Sequence, residues 1–204
     1  MIVTFHHGWG FDASLWQRVL PLLADLDCRA DDRGYFAEPR EVPRGAVAVC
    51  HSFGTLRALA APPSRAIVAI NGFDCFTARG DFPGVPARLT QRMAARFASA
   101  PEAVLSDFRA RCAAPPPPPI RDEECLRADL AALGESDLRR AVTLPVEALH
   151  AADDPIVPSA MQAALFARAP ALAATTLAAG GHLLPLTAPE ACAKAIRRAV
   201  EALA

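Results

Sequence analysis

No apolar run in this chain reaches the ~18 residues of a membrane-spanning helix, although 52% of its 204 residues are apolar. Nothing at the N-terminus combines a basic segment, an apolar segment and a small-residue cleavage site; Met1 leads straight into strand-like Ile2-Val3-Thr4-Phe5. No secretion signal is therefore visible, and a cytoplasmic location is expected. Cys-x-x-Cys spacing is also lacking. The six cysteines (Cys28, Cys50, Cys75, Cys112, Cys125 and Cys192) are too sparse for a disulfide scaffold in a chain of this length and suit buried thiols. Charge of one sign is lacking too, since the net charge is −1, which argues against a globally electrostatic nucleic-acid binder. Lysine is nearly absent, Lys194 being the only one; with the excess of alanine and proline this reflects base composition rather than function. His6 and His7 stand at no metal-ligand spacing from Asp, Glu or Cys, so no metal and no cofactor are expected. Length and balance together predict one domain, a monomer, burying roughly 70% of its unfolded surface.

What is present is an alternation. Strand patterns at 2–6, 29–32, 46–50, 66–71, 145–150 and 174–178 are interleaved with helical ones at 15–26, 53–61, 160–169 and 189–203. Such an order predicts an α/β fold with a mostly parallel sheet of about six strands and helices on both faces. Ser14 with Gln17, Ser99 with Glu102, Ser159 with Gln162 and Thr187 with Glu190 have the spacing of reciprocal helix caps. Residues 76–140 break the alternation, offering only helical patterns at 87–98, 101–112 and 122–133, the last stopped by Gly134. Pro115 to Pro119 form an extended spacer between the second and third. The expectation is a core of residues 1–75 and 141–204 with a helical lid, 76–140, inserted in it.

Cys50-His51-Ser52-Phe53-Gly54 follows the apolar run Ala46-Val47-Ala48-Val49 and precedes a helix-forming stretch. A serine on a tight strand-to-helix turn is the nucleophile elbow of an α/β-hydrolase, its hydroxyl lifted clear of the sheet at a helix N-terminus. Glycine usually lies two residues either side of that serine; Gly54 keeps one place and Cys50 takes the other.

An elbow serine needs an acid and then a histidine further along the chain. After strand 145–150 comes Ala151-Ala152-Asp153-Asp154-Pro155, and after strand 174–178 comes Ala179-Gly180-Gly181-His182. Ser52, Asp154 and His182 are the expected catalytic set, with Asp153 and, beyond strand 66–71, Asp74 as alternative acids. The oxyanion hole is expected from the amides of Phe53 and of Trp9, in the loop His7-Gly8-Trp9-Gly10. The Trp9 indole is a candidate wall for an acyl pocket, His7 a brace for the loop, and His51 a solvent-side bystander.

The His7-Gly8-Trp9-Gly10-Phe11-Asp12 loop, the elbow, the stretch Cys75-Phe76-Thr77-Ala78-Arg79-Gly80-Asp81-Phe82-Pro83-Gly84 and the Asp154 and His182 loops resemble the pimeloyl-[acyl-carrier protein] methyl ester esterases of biotin synthesis. The resemblance implies hydrolysis of the methyl ester on pimeloyl-carrier protein, with roles on Ser52, Asp154, His182, Trp9 and Phe53. The chain departs from that family in lacking the N-terminal hairpin, in having only a loop over residues 33–45, and in Cys50. An acidic carrier calls for a basic patch. Residues 86–121 carry six arginines against Glu102 and Asp107. Arg88, Arg92 and Arg96, spaced four apart on one helix face, together with Arg109 and Arg111, are the candidate carrier contacts. The rival expectations are an esterase or thioesterase acting on free small acyl compounds and a ligand-binding receptor on the same scaffold.

Overall fold

The computed structural model describes residues 1–61 and 64–204. Its strands β1 (Ile2–His6), β2 (Asp27–Ala30), β3 (Val47–His51), β4 (Ala66–Ile70), β5 (Val146–Ala151) and β6 (Leu172–Leu177) form one sheet in the order β2-β1-β3-β4-β5-β6. Every pairing is parallel. The sequence explains the centre of the sheet. Every residue of β3 (VAVCH) and β4 (AIVAI) is buried, as expected for unbroken apolar runs covered on both faces. The edge strand β6 (LAATTL) is instead exposed along nearly its whole length.

The chain passes outward from β1 to β2, then returns past β1 to lay down β3 and continues in the opposite direction through β6. That reversal opens a crevice between the carboxyl ends of β1 and β3, the place where parallel sheets bind ligands. Helix α1 (Gly54–Ala60) leaves β3 and packs back on β1 and β3. Between β4 and β5 stand α2 (Ala87–Phe97), α3 (Pro101–Arg111) and α4 (Glu123–Glu135), α2 packing against both of the others. After β5 come the single turns α5 (Ser159–Gln162) and α6 (Leu184–Thr187), then α7 (Pro189–Glu201). Buried Cys192, Ala193, Ile196 and Ala199 form the stripe by which α7 lies on β4 and β5.

Several local expectations are corrected. Residues 15–26 form two 3₁₀ turns, Ala13–Trp16 and Leu20–Leu23, because Pro21 lacks the N–H that a continuous helix needs. Residues 160–169 make only the single turn α5, since Phe166 adopts a left-handed φ of 55° and sends its amide to the Asp74 carboxylate. Gly134 does not stop α4; it lies inside the helix, where a side chain would press on Thr90 of α2. None of the four reciprocal caps forms. Asp12 rather than Ser14 caps the first turn, and the Gln162 amide turns inward to the Ala151 and Val157 carbonyls. Ser99 bonds back to Arg96, and the Thr187 hydroxyl bonds to Gly180 and Leu183.

Candidate active site

Ser52 follows directly on β3, and its φ of 51° puts it in the left-handed region, which costs a non-glycine residue on the order of 1–3 kcal/mol. The strain is held by bonds on both sides: the Ser52 amide donates to Ile70 of β4 at 3.1 Å, and its carbonyl accepts from Thr55 at 3.0 Å. The turn can be this tight only because Gly54 has no side chain, since a Cβ there would lie 2.3 Å from the His6 carbonyl oxygen. No such approach arises at Cys50, which is fully buried within β3 opposite His6. Burial pushes the Cys50 thiol pKa up, so it stays protonated and offers no competing nucleophile.

The far-separated residues expected to converge do so. His182 Nε2 lies 3.1 Å from Ser52 Oγ, and His182 Nδ1 lies 2.8 and 3.0 Å from the two oxygens of Asp154. With the carboxylate as acceptor, Nδ1 carries the proton and Nε2 is left to accept from the serine hydroxyl. Asp154 is itself oriented, its Oδ1 accepting from the amides of Ile156 at 2.7 Å and Val157 at 3.1 Å. Both side chains of the His182–Asp154 pair are wholly buried.

Asp153 and Asp74 have other places. Exposed Asp153 accepts from the Gly181 and Gly180 amides, which draws its pKa down, so it anchors the histidine loop. Asp74 is buried against the Phe166 amide, and burial raises its pKa to about 6. Two further anchors escaped sequence reading. Asn71, at the end of β4, donates to the Gly181 carbonyl at 2.8 Å. His51 is no solvent-side bystander: it is fully buried, and its Nε2–H donates to the His182 carbonyl at 2.8 Å. Burial holds its pKa well below the usual histidine value, so it remains neutral. The available signal was its position in a central strand buried on both faces.

The loop after β1 is built to leave an amide free. Arg33 N–H donates to His7 Nε2 at 3.0 Å, and His7 Nδ1 donates to the Gly8 carbonyl at 2.9 Å. The Gly8 carbonyl also accepts from the Phe11 amide at 3.3 Å, closing a β-turn with Gly10 at φ 73° in the position where a type II turn needs it. Neither the Trp9 amide nor the Phe53 amide donates to a protein acceptor among the described residues, although both residues are buried. Buried amides without partners are rare and costly. Beside them opens a cavity of about 200 Å³, lined by Ser52, by apolar residues including Phe73, Phe76, Met93 and Ile156, and by Arg111 as its one charged side chain.

The candidate carrier arginines separate. Arg88 and Arg92 are exposed and form no ion pair among the described residues, and Arg111 stands exposed at the cavity mouth. Arg96 pairs with Asp107 at 2.5 Å. Arg109 is not available to a partner at all: it is buried, with Nη1 on the Gly10 carbonyl and Nε on the Pro115 carbonyl, both at 2.8 Å. No helix among the described residues is long and apolar enough to cross a membrane.

A sequence profile of the "Alpha/beta hydrolase family" matches residues 21–195. No curated protein matches the sequence. Among solved structures, the chain is similar to an esterase from Exiguobacterium antarcticum (TM-score 0.80, 16% identity, covering 98% of this chain and 92% of that one). It is also similar to a bromoperoxidase from Bacillus anthracis (TM-score 0.77, 15% identity, 98% and 91%). A third likeness is to an enol-lactonase from Burkholderia xenovorans LB400 (TM-score 0.66, 15% identity, 98% and 91%). At such identities the structural likenesses speak for the fold. The profile covers most of the chain, which therefore belongs to the alpha/beta hydrolase family.

Proposed function

We propose that this alpha/beta hydrolase is a serine carboxylesterase in which Ser52 is the nucleophile, His182 the base and then the acid, and Asp154 the group that orients it. The observation that carries the reading is the hydrogen-bonded line Ser52 Oγ–His182 Nε2 and Nδ1–Asp154, ending on a strained serine beside two free amides. In the first half-reaction His182 Nε2 takes the Ser52 proton as Oγ bonds to the ester carbonyl carbon. The carbonyl π electrons move onto oxygen, where the Trp9 and Phe53 amides receive the charge. The tetrahedral species collapses by breaking the bond to the alkoxy oxygen, which leaves as the alcohol with the proton from His182. Water then gives a proton to Nε2 and attacks the acyl-enzyme, and Ser52 departs with that proton, leaving the acid.

A cavity of about 200 Å³ is smaller than the ~300–1,000 Å³ typical of drug-sized ligands, so it suits a short acyl or alkoxy group. The narrower reading is the methyl ester of pimeloyl-carrier protein. Support for it comes from the Cys75–Gly84 stretch, from unpaired Arg88 and Arg92, and from Arg111 at the cavity mouth. Hydrolysis of free short esters or thioesters needs only the cavity and the same chemistry. Two measurements separate these readings. A fluorophosphonate probe is expected to label the wild-type protein at Ser52 and to leave Ser52→Ala unlabelled; an unlabelled wild type sinks the esterase reading and favours a receptor. Charge reversal of Arg88 and Arg92 is expected to raise KM for an acyl-carrier ester at low salt while sparing a p-nitrophenyl ester. Equal KM values for the carrier substrate reject carrier docking and leave free esters as the substrate class.

A further inference from the structure

The turn that presents the Trp9 amide is not held by the sheet alone. Gly10 is its left-handed corner, and any side chain there would meet Leu105 of α3 at 2.8 Å. The carbonyl at that corner points into the helical insertion, where it receives Arg109 Nη1. Arg109 has no carboxylate in ion-pair contact among the described residues; its contacts are the Gly10 and Pro115 carbonyls and the Phe11 ring, 4.9 Å below the guanidinium carbon. Taking a guanidinium out of water is expensive unless its donors are met, so a buried arginine bonded only to carbonyls invites explanation. A second tie runs the same way: the Trp9 indole donates to the Leu126 carbonyl of α4 at 2.8 Å, with the Phe108 ring 5.0 Å away.

We propose that Arg109 is a positioning residue for the oxyanion site: by holding the Gly10 carbonyl, it fixes the turn that aims the Trp9 amide at the reacting oxygen. The insertion then does more than cover the cavity, because α3 supplies the clamp on one wall of the oxyanion hole. The step is short in chemical distance. The Gly8–Trp9 peptide is fixed at its carbonyl by His7 and by the Phe11 amide, and that amide belongs to the same peptide unit as the Gly10 carbonyl, which Arg109 grips. With the Gly10 carbonyl free, the Gly10–Phe11 peptide can turn, the 3.3 Å bond from Phe11 to the Gly8 carbonyl loosens, and the Gly8–Trp9 peptide that carries the Trp9 amide loses its aim. Stabilisation of developing charge depends on donor placement to within a fraction of an ångström, and a misplacement of about 1 Å costs on the order of 10²-fold.

This inference rests on Ser52 acting as the nucleophile, and the test separates the two. Wild type, Arg109→Met and Arg109→Lys are titrated with a fluorophosphonate probe to count functional sites. They are then assayed on a short p-nitrophenyl ester and with a trifluoromethyl ketone, whose serine adduct carries an oxyanion. Arg109→Met is expected to lose roughly 10- to 100-fold in kcat per titrated site, with KM little changed. Ketone affinity should fall by the same factor. Arg109→Lys, which keeps one donor for Gly10, is expected to recover most of the loss. If Arg109→Met yields no folded protein, Arg109→Leu, which likewise has no donor, replaces it under the same expectations. An unchanged kcat per titrated site, or a loss confined to KM, overturns the proposal and leaves Arg109 a packing residue. A wild type that the probe does not label overturns the nucleophile reading itself.

Discussion

Asp154→Asn tests the orientation of the proposed base without removing a contact. Asp154 Oδ1 accepts from the Ile156 and Val157 amides. Those two donors need an oxygen, so the carboxamide oxygen takes that place. The –NH₂ group then replaces Oδ2, which lies 2.8 Å from His182 Nδ1. An –NH₂ donates, so Nδ1 must become the acceptor and the ring proton moves to Nε2. There it points at Ser52, and the base has no lone pair to offer. Restoring the productive tautomer sets two buried donors against each other, at about 1–3 kcal/mol, and forfeits the charge-assisted bond to the imidazolium, about 1.5–3 kcal/mol. Together these amount to roughly 2.5–6 kcal/mol, or ~10²- to 10⁴-fold in rate. The assay is kcat on a short p-nitrophenyl ester beside a thermal melt, which should move little because the hydrogen bonds are re-formed. Asp153→Asn, altering an exposed loop anchor, should change kcat by less than about threefold, as expected for a surface substitution. An Asp154→Asn enzyme keeping more than a tenth of wild-type turnover would refute the tautomer reasoning.

Cys50→Gly, which restores the usual elbow pattern, is expected to destabilise rather than improve the enzyme. It deletes about two buried methylene-sized groups at ~0.8 kcal/mol each and adds a strand glycine at ~0.5–1 kcal/mol, some 2–3 kcal/mol in all. Urea unfolding measures it, and higher turnover or unchanged stability contradicts it. Gly54→Ala places a methyl 2.3 Å from the His6 carbonyl oxygen. The backbone cannot yield that much, so kcat should fall by ~10²-fold or more, even in folded protein. Asp74, raised by burial to about 6 from 3.8, binds its proton more tightly when folded. It therefore opposes folding above that range, and the penalty is relieved as pH falls from about 6 to 4. Asp74→Asn should gain up to about 3 kcal/mol at pH 8, with the gain vanishing near pH 4; a pH-independent difference contradicts the assignment. Buried His150, pulled down to about 4 by desolvation, runs the other way: stability is full above about 6.5 and lost between there and 4. In the Asp74→Asn background that acid limb should stand out more steeply.

The alternation of apolar runs with amphipathic stretches located the strands to within a few residues, most securely β3 and β4, because central parallel strands buried on both faces are largely apolar. It also set three helices between β4 and β5. Local rules did worse wherever a tertiary contact competed with them. Ser14 and Thr187 had cap spacing, but Asp12 and the Gly180 carbonyl offered better bonds. Residues 160–169 had helical composition, yet Asp74, distant in sequence, captured the Phe166 amide and ended the helix early. At the site, Ser52, Asp154 and His182 were legible because each sits just past a recognisable strand on a loop of distinctive residues. His51, Asn71 and Arg109 were not, since each acts on a backbone carbonyl far along the chain, and a carbonyl leaves no mark on a sequence. The local excess of arginine even pointed the wrong way for Arg109, which is buried where Arg88, Arg92 and Arg111 are exposed.

A consistent division follows. The apolar strands bring the ends of β1, β3, β4 and β5 to one rim, but parallel strands alone do not aim side chains. Aim comes from polar groups bonded to the backbone of the neighbouring loop: His51 and Asn71 on the histidine loop, His7 and Arg109 on the turn from Gly8 to Gly10. Each such bond is worth only about 1 kcal/mol in net stability, too little to decide whether the chain folds. Yet a displacement of ~1 Å in any of these loops costs about 10²-fold in rate. Substitutions at these positions should therefore separate the two quantities, lowering turnover far more than they lower the unfolding free energy. Substitutions of the apolar residues of β3 and β4 should do the reverse.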